Sequence, residues 1–302
     1  MFETLISADE LVGLMEAASA PTDGSKSSTG EAQLVIVDCR FTLGSPEAGA
    51  QAYAASHIPG AIFADLEKDL SGPIIAGKTG RHPLPDPFIF WEKLESWGIS
   101  EHTQVVAYDD VGGAFAARLW WLLGWLRHPG GQAVLDGGWS GWLAASGAVS
   151  QEPAAMKNIR ERKDAPRIAP KASWLCTTEE VEVAIASGNA RLFDARAVER
   201  YAGEVEPIDR IPGHIPTAQS LPFGENLNAG KFRTASELRA RFQAAGADTG
   251  ATSVMYCGSG VTACHNVLAA AHAGLPLPRL YAGSYSEWIT HPKHAVNTGR
   301  RP

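Results

Sequence analysis

The chain reads as one sequence written twice, and this duplication restricts its fold more than any other feature. VIVDCR (35–40) returns as LFDAR (192–196). Sixteen to nineteen residues later each copy has a His-Ile-Pro, in HIPGA (57–61) and HIPTA (214–218). Two further β-rich runs follow, QVVAYDD (104–110) and TSVMYCG (252–258), and each leads through glycines into an apolar helical stretch. The copies close with VLDGGWSGW (134–142) and LYAGSYSEW (280–288). The offset stays between about 146 and 157 residues throughout. That spacing describes a duplicated domain of roughly 140 residues, not a solenoid of short repeats.

Within each copy short apolar runs alternate with amphipathic stretches such as ASELRARFQAAG. Uninterrupted runs such as VIV and VVA read as buried parallel strands, and the alternation predicts an α/β domain with helices on both faces of a parallel sheet. The expected boundaries are a first domain over 1–149, a linker over 150–173 and a second domain over 174–302. The linker, SQEPAAMKNIRERKDAPRIAPKAS, is rich in Pro, Ala and charge and has no sustained apolar period. Ser7 with Glu10, and Thr177 with Glu180, are capping boxes that open matching helices. GSKSSTGEAQ (24–33) reads as a surface loop.

Composition narrows the function classes. A net charge of −7 argues against a general nucleic-acid binder. A small anionic substrate remains compatible, because a local cationic pocket can sit on an acidic protein. No run reaches the roughly 18 apolar residues of a membrane span. The first residues, MFETLISADELVGLMEAA, carry early acids and no basic n-region, so a cytoplasmic protein is expected. Cys39, Cys176, Cys257 and Cys264 form no CxxC pair and no zinc-type cluster, so thiols are expected, with no metal and no organic cofactor.

Chemistry concentrates in SVMYCGSGVTACHNVLAAA (253–271). A strand ends at Tyr256, Cys257 follows, and helical character resumes near Val261. Ligands in parallel α/β folds sit at such strand ends. Gly258 and Gly260 permit backbone conformations that other residues resist. The stretch Gly258, Ser259, Gly260, Val261 and Thr262 can therefore curl its N–H groups around one point, a nest at the positive end of a helix that binds anions and favours thiolate. A thiolate there attacks a sulfane sulfur, and the same amides stabilise the resulting Cys-S-S⁻. The alternative is a buried core cysteine beside a tight turn. The first copy bears on the choice, because it carries Asp109 in the same slot, whereas a core position would more often keep an apolar residue.

DCR…HIPGA, DAR…GHIPTA, CGSGVTA and the closing GxWSxW-like segments resemble the tandem-rhodanese sulfurtransferases, over nearly the whole chain from about 34 to 288. The resemblance implies an α/β fold of two tandem rhodanese-like domains, each a parallel sheet flanked by helices. It implies a catalytic C-terminal domain, an inactive N-terminal one and a site between them. CGSGVTA is most similar to the loop of 3-mercaptopyruvate sulfurtransferases, whereas thiosulfate-using rhodaneses tend to carry a cationic CRKGVTA-like loop. Sulfur would pass from a small anionic donor through Cys257 to a thiol acceptor such as thioredoxin or glutathione, or to cyanide, in a protein for which a monomer suffices. In the family two arginines hold the donor. Arg200 matches one; the other normally follows Glu-Pro, where this chain has Ile208, and Arg210 is two residues on. The family's proposed Ser–His–Asp relay matches Ser259 and, on the first HIPGA, His57; the region expected to carry the acid reads GSPEAGAQ, with Glu47 its nearest carboxylate.

Three other readings compete. Thiosulfate as donor requires the same machinery. A Cys-based phosphatase or arsenate reductase needs a longer loop ending in an oxyanion-gripping arginine, which CGSGVT lacks. A persulfide carrier would store sulfur on Cys257 without turnover. The remaining singled-out residues read as structural: His214 as a turn histidine, Asp38/Arg40 and Asp194/Arg196 as strand-end ion pairs, and Cys264 and Cys39 as core.

Overall fold

The computed structural model describes residues 1–19, 33–154 and 169–302. They form two compact units, Met1–Leu70 with Asp86–Pro170, and Ser71–Pro85 with Lys171–Pro302. The first contains, in chain order, β1 (Leu5–Ile6), α1 (Ala8–Ser19), β2 (Gln33–Asp38), α2 (Ala48–Ala55), β3 (Ile62–Phe63), α3 (Pro87–Ser96), β4 (Thr103–Tyr108), α4 (Ala116–Trp125), β5 (Gln132–Leu135) and α5 (Gly138–Ala144). Its sheet has the order β1-β5-β4-β2-β3 and every pair is parallel. The central strand β4 is buried at all six positions, as a strand covered on both faces must be.

The second unit repeats the plan with α6 (Thr178–Ser187), β6 (Arg191–Asp194), α7 (Val198–Tyr201), β7 (Gln219–Ser220), a small hairpin of β8 (Leu227–Asn228) and β9 (Lys231–Phe232), α8 (Ala235–Ala245), β10 (Ser253–Tyr256), α9 (Thr262–His272), β11 (Arg279–Leu280) and α10 (Ser284–Trp288). Its main sheet, β11-β10-β6-β7, is also parallel throughout. A bridge of Leu175 to Leu280 stands where β1 pairs with β5 in the first unit. Each unit has its own core, around Ile58, Val106, Tyr108 and Trp142 in one and Ile215, Val254, Tyr256 and Trp288 in the other.

The repeat extends to polar detail. Arg40 grips Asp38 and donates to Ser56 O at 2.7 Å; Arg196 grips Asp194 and donates to Gly213 O at 2.7 Å. These pairs pin the strand-end turn to the His-Ile-Pro turn in both copies. The two capping boxes form as expected, Glu10 on Ser7 N and Glu180 on Thr177 N.

The division differs from the expected 1–149, 150–173 and 174–302: the first unit runs to Pro170, the second resumes at Lys171, and one inner segment changes sides. Ser71–Pro85, SGPIIAGKTGRHPLP, belongs to the second unit. The segment is rich in Gly and Pro, has no apolar period and forms no strand or helix. Its polar groups find their partners on the second unit instead, as Arg81 N does on Ser286 Oγ at 3.1 Å. Most of the expected loop 24–33 and the linker residues 155–168 lie outside the described residues.

Candidate active site

Cys257 follows β10 directly and is 2 % exposed. Three contacts from the start of α10 clasp its turn: Cys257 N–H donates to Ser284 Oγ at 3.1 Å, Tyr285 N–H to Cys257 O at 3.0 Å, and Ser286 N–H to Gly258 O at 2.9 Å. The closing GSYSEW motif thus holds the loop. Gly260 adopts φ +74°, and a Cβ there would run into the Ala282 carbonyl, so both conformation and space require glycine. Val261 and Thr262 lead into the buried α9.

The first copy shows what such a loop can hold. Asp109 occupies the Cys257 position, and Gly112, at φ +67°, matches Gly260. The Asp109 carboxylate accepts four main-chain N–H groups, from Val111, Gly113, Phe115 and Ala116, at 2.8–2.9 Å. An internal anion therefore fills the first cradle. In the second copy the residue at the same point is a thiol.

Ser259 is nearly buried, and its hydroxyl lies 2.7 Å from Nδ1 of His82. His57, expected to serve Ser259, has both ring nitrogens engaged by carbonyls of its own unit. It is fully buried in the first unit, with Nδ1 on Tyr53 O at 2.7 Å and Nε2 on Glu152 O at 2.9 Å. Its ring stacks on Tyr53 at 4.0 Å, and its main chain bridges to Ser150. His214 repeats the arrangement, stacked on Tyr201 at 3.8 Å with Nδ1 on Tyr201 O and a bridge to Asn297. Both His-Ile-Pro histidines fasten their turns, and no ring nitrogen of His57 is left to take a proton from serine.

Arg200 stands beside the loop: a Cβ on Gly258 would lie 3.6 and 3.7 Å from its terminal nitrogens. Its guanidinium is held by Glu206 and Asp209, at 2.8 and 3.0 Å. Arg210 has another partner. It donates to the Ile289 carbonyl, and Ile208, in place of the second family arginine, is exposed. The second cation at the loop is Arg81, whose Nη2 would lie 2.7 Å from that same Cβ and whose Nη1 pairs with Asp209. Burial pushes Glu206 up, but the Asp209 and Ile208 amides and the Arg200 guanidinium outweigh it, and Glu206 titrates below the ordinary carboxylate range.

Among the residues expected at the site, the structure brings together Cys257, Gly258, Ser259, Gly260, Val261, Thr262 and Arg200; both ring nitrogens of His57 are engaged inside the first unit, and Arg210 is engaged by the Ile289 carbonyl. The residues missed are His82, Arg81 and Asp209. An Arg-His pair inside TGRHPLP, polar in a stretch with no structural period, was the available signal. Of the other thiols, burial pushes Cys39 well up and Cys176 up to about 11, while Cys264 donates to Gly260 O at 3.3 Å. Among the described residues no group of His, Cys, Asp and Glu is arranged to hold a metal ion.

The family model for the rhodanese-like domain matches twice, over residues 24–145 and 177–291. The chain belongs to the rhodanese-like family. Among its rhodanese relatives is a protein of Pseudomonas aeruginosa named "Probable 3-mercaptopyruvate sulfurtransferase", 49 % identical over 271 residues, which cover 89 % of this chain and 94 % of the relative. The mouse thiosulfate sulfurtransferase is 32 % identical over 277 residues, 88 % of this chain and 89 % of that one. The crystal structure of SseA from Escherichia coli, described as a 3-mercaptopyruvate sulfotransferase of rhodanese fold, superposes with a TM-score of 0.74 at 27 % identity, covering 94 % of this chain and all of SseA (100 %). The rhodanese fold with two tandem α/β domains is thus the architecture of this chain.

Proposed function

We propose that this rhodanese-like protein is a sulfurtransferase that takes the thiol sulfur of 3-mercaptopyruvate onto Cys257 as a persulfide and delivers that sulfane sulfur to a thiol or cyanide. The observation that carries the reading is the Cys257 turn, which shares its strand end, its positive-φ glycine and its main-chain clasp with the turn in which the first copy holds a carboxylate on four N–H groups. A terminal persulfide anion has the same need for such donors. The relatives named for mercaptopyruvate support the choice of donor.

The chemistry balances without a cofactor. The Cys257 thiolate attacks the donor sulfur, an S–S bond forms and the donor C–S bond breaks, with its electron pair going to the pyruvate enolate. The donor thiol proton moves to the enolate carbon, leaving Cys-S-S⁻ and pyruvate. Ser259, at 2.7 Å from His82, supplies a hydroxyl–imidazole path for that proton. A second nucleophile then attacks the terminal sulfur and regenerates the thiolate, which makes the kinetics ping-pong. The acceptor on this reading belongs to a reducing cytoplasm, such as glutathione or thioredoxin, and the working form is a monomer. All four cysteines are free thiols. Among the described residues no helix is long and apolar enough to cross a membrane.

Thiosulfate is the second reading, favoured by the two arginines at the loop and by the mouse relative. The test is a steady-state assay with each donor, cyanide as common acceptor and Cys257→Ser as control. The expected result is a kcat/KM advantage of at least tenfold for mercaptopyruvate, about 1.4 kcal/mol of transition-state binding, and no turnover by Cys257→Ser. A thiosulfate preference reverses the donor assignment; turnover by Cys257→Ser removes the mechanism.

A further inference from the structure

Two arginines at the loop share one carboxylate. Asp209, 2 % exposed, receives Arg81 Nη1 on Oδ1 and Arg200 Nη2 on Oδ2. Arg200 also meets Glu206, which in turn meets Arg196, itself paired with Asp194. Three cations thus face three carboxylates, and the cluster is neutral. The two outer guanidinium groups remain partly open, with side chains 27 % exposed for Arg81 and 19 % for Arg200. Both lie over Gly258, and Arg81 Nε is buried with no hydrogen-bond partner among the described residues.

We propose that Arg81 is the second donor-binding cation of this site, and that Asp209 positions it and sets the charge by which the site prefers a monoanionic to a dianionic sulfur donor. The inference rests on the sulfurtransferase reading and deepens it. Arg81 comes from Ser71–Pro85, far in sequence from Ile208, and it replaces in space what the Glu206-Pro207-Ile208 stretch lacks. Gly258 is the complement of Arg81, since any side chain there would meet Nη2. A cluster whose three guanidinium charges are already matched by three carboxylates offers little net field to offset the larger desolvation cost of a dianion, so it favours one negative charge over two. Asp209 fixes both guanidinium groups beside the loop by accepting from Arg81 Nη1 and Arg200 Nη2.

The test is made in the full-length Cys257→Ser protein, which cannot take up sulfur, by calorimetric titration with pyruvate, a monoanion, and thiosulfate, a dianion. Arg81→Met is expected to weaken pyruvate binding at least tenfold, and Arg81→Lys, which keeps the charge, to weaken it by less than threefold. Asp209→Asn is expected to raise thiosulfate affinity relative to pyruvate at least fivefold, a change of ratio that loss of structure alone would not produce. A parent protein that binds neither anion overturns the proposal. So does pyruvate binding by Arg81→Met within twofold of the parent, or an unchanged ratio in Asp209→Asn. Turnover by the wild-type chain, measured separately, judges the sulfurtransferase reading on its own: an active wild type with an indifferent Arg81→Met sinks only the inference.

Discussion

Three histidines in this chain show how environment decides the work of one side chain. His57 and His214 have carbonyl oxygens against their rings and tyrosines stacked on them, so they serve their turns. His82 has a serine hydroxyl against Nδ1. Replacing His82 by Asn should lower kcat at least tenfold, the low end of general acid–base effects being about a hundredfold, and leave the urea midpoint nearly unchanged. Replacing His57 by Asn should do the opposite, costing about 1–3 kcal/mol for the orphaned carbonyls while turnover per folded molecule is kept. Assays and urea titrations of the two variants side by side check both halves.

The strand–turn–helix element is common to both copies and carries a carboxyl group in one and a thiol in the other. In the first, β4 leads into the Asp109 turn and α4; in the second, β10 leads into the Cys257 turn and α9. Trp139 N–H donates to Asp109 O just as Tyr285 N–H donates to Cys257 O, so the clasp is repeated as well. The Asp109 carboxylate thus completes the first turn as a fixed ligand of its own amides. Asp109→Ala should leave four N–H groups without it and destabilise the protein by about 2–4 kcal/mol, given 1–3 kcal/mol for each buried group left unsatisfied and partial relief by water. Added sulfate should recover part of the loss by entering the emptied turn. Thermal melts with and without sulfate measure this; a melt indifferent to sulfate in the variant contradicts the equivalence of the two turns.

Over the whole molecule, stability should fall on mild acidification, and each unit has its own reason. His128 in the first unit and His214 in the second are both held below the ordinary histidine value of 6.5, chiefly by burial. One ring nitrogen of each meets a carbonyl and the other has no partner among the described residues. Their folded forms are therefore neutral. The unfolded chain binds protons first as pH falls below about 6.5, so this stability is complete above that value and is lost as pH drops toward the folded pKa. Glu206, depressed from 4.5, continues the loss at lower pH with the same sign. Melting temperature should decline between pH 7.5 and pH 5.5, and His128→Gln should flatten the slope. A melting temperature that rises on acidification over that range would contradict the assignment.

The duplication, the parallel α/β plan, the two capping boxes and the Cys257 turn were all legible in the amino-acid order, because each depends on neighbours within a few residues or on a period the chain states twice. The identity of the histidine at Ser259 and of the second arginine at Gly258 was not. Both come from Ser71–Pro85, 177 residues from Ser259 in the case of His82, and a Gly- and Pro-rich loop carries no periodicity that announces where it docks. The sequence placed a histidine at the first HIPGA motif by likeness of motif; the fold spent that histidine on its own turn, since a buried imidazole takes whichever partners the local backbone brings nearest. Sequence alone therefore determined the scaffold and the cysteine proposed as its nucleophile. Tertiary structure decided which charged and proton-carrying groups surround it, because those groups meet through space and their meeting leaves no mark on the spacing of the chain.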